Sequence, residues 1–158
     1  MNINTIELDF NIEPQKESRL CWAAVSIAIA KFYKVNNVSS QIDFAKFVAG
    51  KQYNQFCNPE KALTFYGNLN KKWDRPLNKR EILNELINQR PITACMKYFV
   101  GWHLVVIYGI DPNNELMIAD PLMGNSSYSL QLFTHGYNKH YHWEFTFTTQ
   151  MSTSETDL

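Results

Sequence analysis

Cysteine is scarce in this chain, and what there is does not come in pairs. Three cysteines among 158 residues are an odd number and too few for a disulfide scaffold. The fold is therefore expected to stand without bridges, which suits a reducing compartment. Long apolar runs are lacking too. The longest near-apolar stretch, Leu20 to Ala30, is too short to span a bilayer and contains Ser26. The first ten residues carry acidic side chains and none of the basic, apolar pattern of a cleaved leader. These absences predict a protein of the cytoplasm, or one exported without a cleaved signal peptide, with no membrane insertion. An excess of either charge is also missing, since fifteen Lys and Arg balance fifteen Asp and Glu. Without a basic stripe there is no electrostatic footprint for nucleic acid. No repeat or low-complexity block appears, and no cofactor-binding motif.

What is present suits one globular domain. Apolar residues make up 45% and aromatics 14%, enough to build a core at this length. We place that domain at residues 1–150 and expect 151–158, which is polar, to fray. Residues 3–12 alternate loosely as a leading strand, ended by Pro14. Residues 21–34 read as a helix that is apolar almost all round, which belongs at the centre of a domain. Ser39 or Ser40 caps a second helix closed by Gly50, and Asn58 caps a short one from Pro59 to Tyr66. Asn78 with Glu81 opens a fourth helix to about Gln89. After Pro91 the pattern turns to strands at 92–99, 102–110, 115–120, 127–133 and 141–148. Helices first and strands later predict an α+β fold, with an N-terminal helical half packed on a C-terminal antiparallel sheet.

Chemistry concentrates in three places. Cys21 stands at the start of the buried helix, in Gln15-Lys-Glu-Ser-Arg-Leu-Cys21-Trp22-Ala23. A thiol attacks only as thiolate, and a helix N-terminus favours that form through its unpaired N–H groups and partial positive charge. The competing reading is a small core residue, common for cysteine. His103 is the histidine inside a long apolar strand, Gly101 to Gly109, and a turn at 111–114 folds the chain back so that Asp120 returns toward it. A carboxylate on one ring nitrogen fixes the tautomer and frees the other to take the thiol proton. A one-residue slip in register would turn Asp120 to the wrong face, and a bulge or strand end near Pro121 would correct it. Gln15, six residues before Cys21, offers a side-chain amide that could meet the Cys21 N–H at a developing oxyanion. As a lone residue it would be a solvated loop glutamine.

Glutamine, then Cys-Trp-Ala beginning six positions later, a long gap, a strand histidine and then Asp-Pro together resemble the papain-like cysteine peptidases. The resemblance is closest to the compact bacterial branch, the C39-like peptidases and AvrRpt2-type effectors. There the pattern Gly-x-His, a hydrophobic run, Gly-Ile-Asp, a hydrophobic pair and Asp-Pro recurs. In this chain it reads Gln89-Arg90-Pro91-Ile92, then Gly101 to Asp111, then Met117-Ile118-Ala119-Asp120-Pro121. The resemblance covers roughly residues 12–148 and rests on those two motif blocks. It implies a papain-like fold, a peptide or protein substrate, Gln15 for the oxyanion hole, Cys21 as nucleophile, His103 as base and Asp120 as orienter. The chain departs from papain in using aspartate rather than asparagine as the third residue. Ser18 and Arg19 stand where papain has a disulfide cysteine, and little chain precedes Gln15 to serve as an inhibitory propeptide. The same thioester chemistry would serve a deamidase or acyltransferase, and a C39-like domain that only docks peptides is a further alternative. Such docking domains typically lose the cysteine or histidine, which this chain keeps.

Trp22, Tyr98 and Trp102 flank the proposed cleft in sequence and are candidates for substrate contact as well as for core and rim packing. His135, His140 and His142 with Cys57 match no structural zinc module, so no metal is expected. Cys57 and Cys95 are expected to pack rather than form a redox pair. Nothing in the sequence fixes the oligomeric state.

Overall fold

The computed structural model describes residues 4–152. In chain order the elements are β1 (Ile6–Glu7), α1 (Cys21–Phe32), α2 (Gln41–Ala49), α3 (Pro59–Phe65), β2 (Leu69–Trp73), α4 (Lys79–Ile87), β3 (Ile92–Tyr98), β4 (Gly101–Ile110), β5 (Glu115–Asp120), β6 (Gly124–Ser129), α5 (Leu130–Gly136) and β7 (His142–Thr149). The strands form one sheet in the order β2-β7-β3-β4-β5-β6, with β1 paired to β4, and every pairing is antiparallel. The fold is α+β, with a helical N-terminal half and an antiparallel sheet, as the sequence predicts.

Local chemistry accounts for the helices. Every residue of α1 from Cys21 to Ala30 is buried, so the apolar circumference predicted for it is matched by packing on all sides. Ser40 accepts from the Asp43 N–H, Asn58 accepts from the Glu60 N–H, and Asn78 with Glu81 forms a reciprocal capping box. Two elements differ from the sequence reading. The strand expected at 127–133 ends at Ser129, whose side chain accepts from the Leu132 N–H and starts α5. Phe133 of that helix is fully buried against Trp143. The second difference is β2, absent from the sequence reading because Leu-Asn-Lys-Lys-Trp has polar side chains at its centre. It is an edge strand, where lysines discourage further pairing.

The antiparallel order brings the start of β4, the end of β5 and the start of β7 to one end of the sheet. His103 and Asp120 lie there. Gly109 allows β1 to lie close on β4, since a Cβ on it would meet the Ile6 carbonyl oxygen at 2.7 Å. Of the terminal segment 151–158, only Met151 and Ser152 are described. Met151 is exposed, whereas Ser152 is buried beside Gly67, and 153–158 lie outside the described residues. Among the described residues, no helix is long and apolar enough to cross a membrane.

Candidate active site

Cys21 is the first residue of α1. No side chain caps this helix, and its first internal bond runs from the Ala24 N–H to the Leu20 carbonyl. The helix start is held by its neighbour Trp22, whose indole N–H donates to the Gln55 carbonyl at 2.8 Å. The Arg19 N–H, just before it, donates to Asn54 Oδ1. Cys21 is 3% exposed, so its thiol is in the wall of the protein with only its edge open to solvent.

His103 is the third residue of β4 and is buried. Its Nε2 lies 2.7 Å from Asp120 Oδ1, and the Cys21 side chain is near enough to act on the ring. With Nε2 committed to the carboxylate, Nδ1 is the nitrogen left for the thiol. A bulge makes this alignment possible. Ile110 pairs with Leu116 and Gly109 with Met117, a register that would set Val106 opposite Asp120. Tyr108 is an extra residue in β4, so Val106 instead pairs with Ala119. The next position along, Asp120, then falls on the face shared by Val105 and His103. The bulge lies within β4 opposite Met117 and Ile118, a few positions along the hairpin from Pro121.

The Asp120 carboxylate is fully engaged. Oδ1 also accepts from the backbone N–H groups of Leu122 and Met123, at 2.8 and 3.1 Å. Oδ2 accepts from the Tyr137 hydroxyl at 2.6 Å. Burial alone would raise the Asp120 pKa, but the His103, Tyr137 and Leu122 interactions outweigh it and hold the carboxyl below its usual range. Burial alone would likewise lower the His103 pKa. Its bonds to Asp120 and Cys21, and their charges, prevail and raise it to about 9. The pair therefore favours an imidazolium beside a carboxylate at neutral pH. Tyr137 went unseen in the sequence because α5, which carries the chain to it, was read as strand.

Gln15 sits in a loop tied down on both sides. Its N–H donates to the Pro121 carbonyl, next to Asp120, and the following Lys16 N–H donates to Gln41 Oε1. The Gln15 amide nitrogen donates to the carbonyls of Glu17 and Ser18, both at 3.0 Å, while its oxygen is buried without a partner. Gln15 is thus a bonded loop residue, not a solvated one.

The aromatic candidates divide. Trp22 is fully buried, 6.0 Å from the Phe44 ring. In this structure it packs in the core. Trp102 is half-buried and stacks with Phe145 and Phe56, with Lys97 Nζ 4.6 Å from its ring. It lines a cavity of about 300 Å³ with Phe56, Pro59, Cys95 and Phe145. Tyr98 reaches the centre through Tyr141, whose ring lies 5.8 Å from that of His103. His142 pairs with Glu144 at 2.7 Å. Among the described residues no group of three or more His, Cys, Asp or Glu is placed to hold a metal.

All three cysteines are free. Burial pushes Cys95 up to about 12, helped by the nearby Cys21 charge, and burial also raises Cys57. Cys57 is only half-buried, more open than its sequence context suggests. Iodoacetamide at mildly acidic pH should therefore label Cys21 first, because burial holds the Cys57 and Cys95 thiols protonated there. Alkaline pH should bring up Cys57. Peptide mapping by mass spectrometry reads this directly, and earlier labelling of Cys57 or Cys95 at acidic pH would remove Cys21 as the reactive thiol.

A family model described as papain-like cysteine protease AvrRpt2 matches residues 3–138. Among solved structures, the peptidase domain of Streptococcus ComA is similar in fold. That protein is described as a bi-functional ABC transporter involved in a quorum-sensing pathway. The match has a TM-score of 0.64 at 20% sequence identity and covers 89% of this chain and 98% of that one. No curated protein matches the chain.

Proposed function

The chain belongs to the papain-like cysteine proteases of the AvrRpt2 family, and from that premise we propose that it hydrolyses peptide bonds through a thioester on Cys21. The observation that carries this reading is the His103–Asp120 pair at 2.7 Å with the Cys21 side chain beside the ring. The Cys21 thiolate attacks the scissile carbonyl carbon, and its electron pair moves to the oxygen. The oxyanion is met by the Cys21 N–H and the Gln15 amide. His103 imidazolium gives its proton to the departing amine as the C–N bond breaks, leaving the thioester and a neutral ring. Water then loses a proton to His103 and releases the acid. The substrate is a peptide or protein segment in extended form, with Trp102 and Tyr98 as candidate contacts at the rim. Precursor maturation and attack on a target protein by a delivered effector both use this step. Incubating the protein with candidate peptides and reading masses tests it. New termini that disappear with Cys21→Ala support hydrolysis. An intact chain of altered mass would instead assign deamidation or acyl transfer, and unchanged peptides would leave peptide docking.

For Gln15 the oxyanion role requires one free N–H. Two adjacent carbonyls can share a single bifurcated N–H, which leaves the other for the substrate. On this reading Gln15→Ala lowers kcat by roughly 10²–10³, the loss expected for one such donor. KM changes little, because the ground-state carbonyl gains less from the donor than the oxyanion does. Lys16→Ala, on the same loop, should be nearly silent. If the amide only shapes the loop, kcat and KM will move together, and a wild-type rate would remove Gln15 from the mechanism.

A further inference from the structure

A buried phenol touches the far side of the candidate triad. Tyr137 follows α5, is 2% exposed and donates to Asp120 Oδ2 at 2.6 Å. Its ring is clamped edge-on by Tyr128 at 4.8 Å and Phe133 at 5.2 Å, so the hydroxyl has one direction in which to point. Ser126 is near enough to act on the Tyr137 hydroxyl. Sheet register supports that placement. Asp120 pairs with Gly124 and Ile118 with Ser126, so Ser126 and Asp120 share a face. The contacts form a continuous line: Ser126, Tyr137, Asp120, His103, Cys21.

We propose that Tyr137 is a positioning residue for the reaction, with Ser126 supporting it, and that its hydroxyl tempers the pull of Asp120 on His103. The proposal rests on the thiolate–imidazolium reading above. Three donors converge on Oδ1, those of His103, Leu122 and Met123, whereas among the described residues Tyr137 is the one partner found for Oδ2. By drawing negative charge toward Oδ2, Tyr137 makes Oδ1 a weaker base toward the imidazolium. A ring held less tightly to its proton is a better acid for the leaving amine. Without the hydroxyl the carboxylate becomes more basic, and His103 keeps its proton to higher pH and yields it more slowly.

The groups that face this pair from the surrounding elements are Cys21 on α1, Asp120 on β5, and Tyr137 and Tyr141 beside α5 and β7. Cys95 on β3 lies near Cys21 but stays protonated where His103 titrates, and Tyr128 on β6 faces Tyr137. Burial raises both Tyr137 and Tyr141 above the ordinary phenol range. They stay protonated where His103 titrates, so the shift belongs to the ring.

The test follows the His103 imidazole by NMR across pH in the substrate-free protein, for wild type, Tyr137→Phe, Ser126→Ala and Tyr128→Phe. Tyr137→Phe should move the His103 midpoint upward and lower kcat about tenfold with KM unchanged. Ser126→Ala, at a half-buried surface position, should move it the same way by less, and it keeps the question open if Tyr137→Phe fails to fold. Tyr128→Phe should leave the midpoint in place. An unmoved or lowered midpoint in both Tyr137→Phe and Ser126→Ala overturns the proposal. Because the titration needs no turnover, a protein that cleaves nothing would count against the peptidase reading without deciding the role of Tyr137.

Discussion

Replacing Cys21 or His103 by alanine should each lower kcat/KM by about 10⁶, and replacing both should cost scarcely more. The reason is that the two side chains act as one unit. Without the thiol there is no nucleophile, and the imidazolium has nothing to activate. Without the ring, the thiol has lost its charged partner and the leaving amine its acid. Folding should survive both changes. Cys21→Ala removes one small atom from the start of α1. His103→Ala leaves Asp120 buried, but the carboxylate keeps the Leu122 and Met123 N–H groups and the Tyr137 hydroxyl. Circular dichroism checks the fold, and initial rates on a cleavable peptide check the loss. Alanine at His135, His140 or His142 should leave most of the activity, since the described structure gives none of them a bond to Cys21 or Asp120. A live His103→Ala beside a dead His142→Ala would refute the assignment, and costs that add in the double variant would mean that the two act separately.

The parts of the site that were legible in the sequence are those fixed by local pattern. An all-round apolar helix with a cysteine at its mouth needs no tertiary information to recognise. Nor does a histidine in an apolar strand followed by a turn and an aspartate. What pattern could not supply is register. Alternation places Asp120 on one face or the other, and only the extra residue at Tyr108 decides which. A bulge of that kind leaves no mark in composition, because Tyr fits either strand geometry. The α5 segment failed for a different reason. Ser-Leu-Gln-Leu-Phe alternates well enough to pass for a strand, and that period-two pattern hides the cap that Ser129 provides. With α5 misread, Tyr137 could not be brought to Asp120. Trp22, next to Cys21 in sequence and a candidate for packing as well as substrate contact, is fully buried in the core.

Asp120→Ala should lower kcat/KM by about 10³–10⁴, and Asp120→Asn should lower it less. The asparagine oxygen can accept from His103 Nε2 and from the Leu122 and Met123 N–H groups, as Oδ1 does now. Its NH₂ can donate to the Tyr137 oxygen, since a phenol hydroxyl accepts as well as donates. Alanine leaves those donors without a partner and the ring free to turn. Orientation therefore survives in the asparagine variant while charge is lost in both, and pH separates the two effects. His103 stands at about 9 against an ordinary 6.5. Its folded value is raised, so the stability gained from the charged pair is fully present below 6.5 and lost as pH rises through about 9. Activity that needs the imidazolium falls over the same upper limb. Burial lowers the ring, and the Asp120 bond is the first of the interactions that overcome it. Removing the carboxylate charge should thus move the alkaline limb of kcat/KM toward lower pH in both variants, with the greater loss of rate at the optimum in Asp120→Ala. Rate measurements from pH 5 to about 10 on both variants read the two effects together. A limb that stays in place in Asp120→Asn would show that the carboxylate does not set the His103 proton, and equal losses in the two variants would show that orientation contributes nothing beyond charge.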